Sequence, residues 1–130
     1  MIENRAIDID LMRATYARLA GLHAEIVVEG AGGWLVPLTR DFMIADLAAD
    51  LALPVAVVTA NRLGALNHTL LTIESIRGRG LECVGIFLNQ ARQPTEDDEI
   101  AIQTNRSVLE DVAGVPILGV VAHGQAELGL

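Results

Sequence analysis

Two short runs, Val-Ala-Val-Val-Thr-Ala at residues 55–60 and Val-Gly-Ile-Phe-Leu at residues 84–88, are apolar at almost every position. A strand with one wet face alternates apolar and polar side chains. An unbroken apolar run of this length instead reads as a strand buried on both faces, the usual state in a parallel sheet. Between the two runs lies a helical pattern from about residue 64 to 79, with Leu66, Leu70, Ile73 and Ile76 on one side. Parallel neighbours need such a crossover, which is right-handed in nearly all known cases.

The alternation continues in both directions. Asp8 or Asp10 can cap a helix running to about Ala20, with Leu11, Met12, Tyr16 and Leu19 available to a buried face and Gly21 as its stop. Residues 25–29 read as a short apolar strand, followed by a Gly-rich loop to Pro37. Thr39 or Asp41 opens a helix through Leu51, with Phe42, Ala45 and Ala49 at helical spacing. Leu53-Pro54 turns the chain into the strand at 55–60, and Gly80 leads into a strand at 82–88. The stretch 89–98 is a polar loop. Its acids Glu96, Asp97, Asp98 and Glu99 suit the positive end of a helix over about 100–113, and read as a solvated cap. Gly114 and Pro116 lead into a last strand at 117–121. The residues after it, 122–130, are too few for another full helix. The expectation is one α/β domain over residues 1–130: four strands and four helices, the sheet mostly parallel with flanking helices.

The 130 residues are 52% hydrophobic with a mean hydropathy of +0.41. A membrane span needs about 20 apolar residues in a row, and every apolar stretch here is interrupted sooner. The excess instead points to doubly buried strands, to a dimer interface, or to a face whose covering segment is absent. The net charge of −8 argues against a sequence-independent grip on nucleic acid. The one cysteine, Cys83, cannot form an internal disulfide, and the acidic start Met1-Ile2-Glu3-Asn4-Arg5 does not resemble a signal peptide. Both features suit the cytoplasm.

All nine basic residues are arginine. Within this chain that excludes a P-loop lysine, a Schiff base, a Ser–Lys nucleophile and a lysine general base, because Arg can replace the charge but does not titrate.

Three segments have the composition of sites. Glu29-Gly30-Ala31-Gly32-Gly33 follows the expected strand at 25–29, where ligands bind in open α/β sheets. Its glycines would let backbone N–H groups approach an anion, and its acid could hold Mg2+. A tight turn needing positive φ accounts for the glycines equally well. In Asn61-Arg62-Leu63-Gly64-Ala65-Leu66-Asn67-His68 the free N–H groups of a helix start would attract a carboxylate or phosphate. Ordinary capping by Asn61 or Gly64 explains the segment without a ligand, and His68 alone reads as a helix-surface residue. Asn89-Gln90 ends another strand, and an amide that both donates and accepts suits an adenine edge. On chemistry alone a turn-forming Asn is the simpler reading. His23, His68, Cys83 and His123 show no metal-ligand spacing.

Taken together, Val27-Val28-Glu29-Gly30-Ala31-Gly32-Gly33-Trp34, Leu53-Pro54-Val55, Arg62-Leu63-Gly64-Ala65-Leu66-Asn67-His68-Thr69-Leu70-Leu71-Thr72, Asn89 and Pro116-Ile117-Leu118-Gly119 resemble the dethiobiotin synthase family in order and spacing. The likeness covers essentially the whole chain. That family has a P-loop NTPase-like fold and is a homodimeric, Mg2+- and ATP-dependent ligase of biotin synthesis. It joins CO2 to 7,8-diaminononanoate through a carbamate and closes it to a cyclic urea. The resemblance implies that Glu29 is a Mg2+ ligand and that Gly30, Ala31 and Gly32 face the nucleotide phosphates and the carbamate. It implies that Gly64, Ala65, Leu66 and Asn67 bind the substrate carboxylate across the dimer, and that Asn89 and Gln90 read adenine.

The sequence departs from the family in two places. The family's Gly-Lys-Thr loop, its catalytic lysine and a second metal-binding acid would all precede Met1, so the chain resembles the C-terminal part of the fold without its N-terminal strands. Gly119-Val120-Val121-Ala122 also stands where the family usually has Ile-Pro after the glycine, so the resemblance implies no adenine contact there. The expectation is an incomplete active site with exposed sheet edges. These would be covered by another polypeptide carrying the P-loop half, by closure of the strands at Val27 and Val55 on each other, or by dimerisation. A catalytically silent dimerisation or ligand-binding module is the rival reading. A relative acting on another carboxylate substrate is a third.

Overall fold

The computed structural model describes residues 6–125. The expectations about residues 1–5, and about the tail beyond 125, lie outside them. The chain divides into two compact units, one ending at Ala52 and one starting at Leu53.

The first unit holds helix α1 (Ile9–Ala20), strands β1 (Pro37–Thr39) and β2 (Phe42–Met43), and helix α2 (Ile44–Leu51). Asp8 caps α1 by accepting from the Leu11 amide at 2.9 Å, and Gly21 ends it. None of its residues is buried, and Leu11 is 62% exposed, so the expected buried face does not form within this unit. What ties α1 to α2 is charge: the Arg13 guanidinium pairs with Asp50 and Asp10 and lies 5.5 Å from the Phe42 ring centre. Exposed pairs of this kind contribute little.

Residues 25–29 are not a strand. Val27 is 95% exposed and Val28 47% exposed, and no described residue pairs with them. A strand exists only through hydrogen bonds to a neighbour, so an apolar run without one stays irregular. The helix expected from Thr39 or Asp41 starts later, at Ile44, because β1 and β2 use residues 37–43 as an antiparallel hairpin. The Asp46 carboxylate accepts from the Met43 amide at 2.8 Å and fixes the helix start.

The second unit is a three-stranded parallel sheet in the order β3 (Val55–Ala60), β4 (Cys83–Asn89), β5 (Ile117–Val121). Helix α3 (Ala65–Gly78) crosses from β3 to β4. A short 3-10 turn (Glu96–Asp98) and helix α4 (Glu99–Val112) cross from β4 to β5. Both helices pack on the sheet and on each other. The core between them is Ile73, Ile76, Ile86, Leu88 and Leu109, each at most 1% exposed. The buried hydroxyls of Thr59 and Thr69 satisfy each other at 3.0 Å. Arg77 on α3 donates to the carbonyls of Ala113 and Gly114, which the end of α4 leaves without helical partners.

The expected burial on both faces holds for neither outer strand. Along β3, Ala56, Val58 and Ala60 are exposed, Val58 at 65%, while Val57 and Thr59 are buried. Leu118 and Val120 on β5 are 37% and 39% exposed. Within this unit helices α3 and α4 cover one face of the sheet only.

Gly85 marks the tightest point of the sheet. It has φ +153°, and a Cβ there would lie 2.6 Å from Leu118 Cγ and 2.7 Å from the Pro116 carbonyl oxygen. Backbone cannot step aside as a flexible side chain can. Gly85→Ala is therefore expected to cost roughly 1–3 kcal/mol, read as a lower urea midpoint with an unchanged slope.

Candidate functional site

In the first unit the loop after residue 29 is shaped by packing. Gly32 has φ +95°, and a Cβ on it would lie 3.2 Å from Val36 Cγ2; a Cβ on Gly30 would lie 3.0 Å from Ile44 Cγ2. The carbonyls of Trp34 and Val36 accept from the amides of Ala45 and Ile44, both at 3.0 Å, so the loop itself closes the first turn of α2. Glu29 is exposed and makes no hydrogen bond or ion pair among the described residues. A positive φ thus accounts for Gly32 and close packing against Ile44 for Gly30, and Ala31 sits exposed between them.

In the second unit a cleft of about 210 Å3 opens at the carboxyl ends of β3 and β4, lined among others by Asn61, Arg62, Asn89, Gln90, Arg92 and Asp98. Two backbone bonds fix its rim. The Asn61 amide donates to the Asn89 carbonyl and the Gln90 amide to the Val121 carbonyl, both at 2.9 Å. The half-buried side chains of Asn89 and Gln90 have no internal hydrogen-bond partner among the described residues. They retain both donors and acceptors for an occupant.

One loop further on, Gly64 takes φ +87° and opens α3. The Ala65 amide bonds the Arg62 carbonyl at 3.1 Å, whereas the amides of Leu66 and Asn67 have no acceptor among the described residues. Ala65 is 3% exposed and anchors the helix start, while Asn67 and His68 are on the surface. Two open N–H groups at the positive end of a 14-residue helix favour an anion.

Two residues that hold the cleft were not singled out as such in the sequence. Asp98 belongs to the acidic run read as a solvated cap. Glu96, Asp97 and Glu99 are exposed, but Asp98 is 4% exposed. Its carboxylate accepts from the Thr95 hydroxyl at 2.7 Å and the Thr95 amide at 3.0 Å, and pairs with Arg92 at 2.8 Å. It also receives the Leu63 amide at 3.4 Å, so one side chain joins the loop after β4 to the loop after β3. Asn105, 3% exposed on α4, donates to Asn61 Oδ1 at 3.0 Å and to the Arg62 carbonyl at 3.2 Å. The trace of it in the sequence is position: Asn105 falls four residues from both Ala101 and Leu109, a polar residue in the buried stripe of α4.

The Thr95 hydroxyl, then the Thr95 amide, then Arg92 and the Leu63 amide hold the Asp98 carboxyl well below the usual carboxylate range, against the opposing effect of burial. A depressed folded-state pKa stabilises the protein fully above the unfolded value of about 4 and loses that contribution as the pH falls below it. Asp98→Asn is expected to lower stability at neutral pH and to flatten its decline between about pH 5 and pH 2. Urea midpoints measured across that range check both effects.

A protein-family model described as an AAA domain matches residues 1–125. The chain is 44% identical over 124 residues to the ATP-dependent dethiobiotin synthetase BioD of Akkermansia muciniphila, covering 95% of this chain and 57% of that protein. It is 35% identical over 119 residues to the enzyme of the same name from Bacillus subtilis, covering 92% and 50%. With the one from Anaeromyxobacter sp. (strain K) it shares 43% over 136 residues, covering 98% and 59%. The chain thus spans about half the length of the curated relatives it matches. Its parallel sheet with flanking helices and its cleft at the strand ends agree with a nucleotide-binding α/β fold. The chain belongs to the AAA-domain family, and over most of its length it is similar to ATP-dependent dethiobiotin synthetases.

Proposed function

We propose that this chain carries the base-binding and substrate-carboxylate-binding portion of an ATP-dependent dethiobiotin synthetase, a ligase of biotin synthesis acting in the cytoplasm. The reaction joins CO2 to 7,8-diaminononanoate and closes the ring at the expense of ATP. What carries the reading in the structure is the second unit. Asn89 and Gln90 present unengaged amides to a cleft at the strand ends, and one loop away the amides of Leu66 and Asn67 stand open for an anion. Adenine would sit against Asn89 and Gln90. The carboxylate of the diamine would bind the segment Gly64, Ala65, Leu66 and Asn67 of one protomer and reach the site of its partner, so the working form would be a homodimer.

Glu29 would supply one carboxylate oxygen to Mg2+, with Gly30, Ala31 and Gly32 along the phosphates and the carbamate. The residues fit such an ion only as part of a shared shell. No group of three His, Cys, Asp or Glu able to hold a metal occurs among the described residues, whereas Mg2+ takes one or two carboxylates and completes its shell with water and phosphate oxygens. When bound, the ion would neutralise charge on the phosphates. The 130-residue chain contains no lysine, so phosphate chemistry that needs one draws on residues beyond it, from a polypeptide bearing a Gly-Lys-Thr loop. Alone, the chain should bind ligands without turnover. No helix among the described residues is long and apolar enough to cross a membrane, and the net charge of −8 argues against a sequence-independent grip on nucleic acid.

Titrating 7,8-diaminononanoate into the isotopically labelled chain should shift the amide resonances of Leu66 and Asn67. Octane-2,3-diamine, which keeps the vicinal diamine but has no carboxylate, should bind at least about 10-fold more weakly. Equal shifts from both compounds, or shifts confined to other residues, would remove the carboxylate assignment.

A further inference from the structure

The cleft at the ends of β3 and β4 contains two carboxamides of very different freedom. Asn89 has no internal side-chain partner among the described residues. Its amide can rotate by half a turn and exchange donor for acceptor at little cost. A free carboxamide of that kind pairs equally well with the amino-and-ring-nitrogen edge of adenine and with the carbonyl-and-N–H edge of hypoxanthine. By itself it does not choose between them.

Asn61 is not free. The chain of constraint starts at the Arg62 carbonyl, which can only accept, so Asn105 must present its NH2 group to it, at 3.2 Å. The same NH2 group lies 3.0 Å from the Asn61 side chain, which must therefore turn its oxygen toward Asn105. The amino group of Asn61 is then left on the other side. It has no partner among the described residues, although Asn61 is only 6% exposed and lines the cleft beside Asn89. Turning Asn61 over would set NH2 against NH2 in a site with almost no water to relieve it, and leaving a buried polar group unmatched is costly. Asn105 is itself 3% exposed and sits on α4 in the helix–sheet core, so it is not free to follow.

We propose that Asn61 is a specificity-determining residue of this cleft: a donor of fixed polarity, locked by Asn105, that selects a base presenting an acceptor ring nitrogen at that point and rejects one presenting N–H. The inference rests on the reading of the cleft as a nucleobase site and adds to it the residue that sets the choice. Asn89 meets the substituent at C6, turning its amide to suit, and Asn61 meets the ring nitrogen beside it and so decides which edge is accepted. The Asn61 amide also donates to the Asn89 carbonyl at 2.9 Å, so the two side chains spring from hydrogen-bonded neighbours and keep a constant spacing.

The test uses the full chain with adenosine and inosine 5′-monophosphates, which differ in base polarity at C6 and N1 but share sugar and phosphate. Affinities are read from the side-chain NH2 resonances of Asn61 and Asn89 in 15N-labelled protein. The wild-type chain should prefer the adenine nucleotide by ~10-fold, with both resonances moving. Asn61→Asp keeps an oxygen for Asn105 and presents a second oxygen to the cleft, so the preference should reverse. Asn105→Leu frees Asn61 to rotate, so the preference should collapse towards one while Asn89 still responds. A wild-type ratio near one, or movement of the Asn89 resonance without that of Asn61, overturns this inference and leaves the nucleotide reading standing. If neither nucleotide moves either resonance, both fall. Because the wild-type ratio is itself decisive, a variant that fails to fold does not rescue the proposal.

Discussion

Strand β4 has a hydrogen-bonded neighbour on each side, and the second unit is arranged around it. Ile86 and Leu88 are fully buried under α3 and α4, and the Cys83–Asn89 backbone pairs with β3 and β5. That pairing fixes where the strands end, and the strand ends fix the cleft. Asn61 follows the last residue of β3, and its amide meets the carbonyl of Asn89, the last residue of β4. Only because the ladder is in this register do the two carboxamides come side by side. Gly85 serves the same arrangement from the other end, since only a residue without Cβ lets β4 lie this close to Pro116 and Leu118.

Polar groups then do what the apolar core cannot. Burial of Ile73, Ile76 and Leu109 presses the helices onto the sheet, but dispersion is indifferent to which loop lies where. Direction comes from Asp98, which gathers Arg92, Thr95 and the Leu63 amide, and from Asn105, which holds Asn61 and the Arg62 carbonyl. Both side chains are buried; Asp98 joins the two loops, and Asn105 ties the loop after β3 to α4. The loops after β3 and β4 are therefore fixed relative to each other before any ligand arrives, the preorganisation a binding cleft needs.

Much of the second unit was legible in the sequence. The strand at 55–60 and the last strand at 117–121 fall where the apolar runs place them. The helices over about 64–79 and 100–113 agree to within a residue or so, because Gly64, Gly80 and Gly114 mark their limits. The first unit was harder. Residues 25–29 have the composition of a strand but no described partner, and 37–43 form a hairpin whose two short strands carry no periodic signal. Helix α1 has the caps of a helix without the burial expected of one. Caps are local and can be read from neighbours in sequence, whereas burial and pairing depend on what lies opposite.

The same division runs through the candidate site. The sequence by itself determined the conformations that belong to single residues and their neighbours: the positive-φ glycines at 32 and 64, the capping acid Asp8, the amides Asn89 and Gln90 at a strand end, and the absence of lysine. Only the tertiary structure decided which side chains share a space. The acid run 96–99 looks uniform in sequence, yet packing buries Asp98 and leaves its neighbours in water. Asn105 lies 44 residues from the Asn61 it orients. A hydrogen bond across that separation leaves no mark in local composition, because its geometry exists only after the sheet has set its register and α4 has docked.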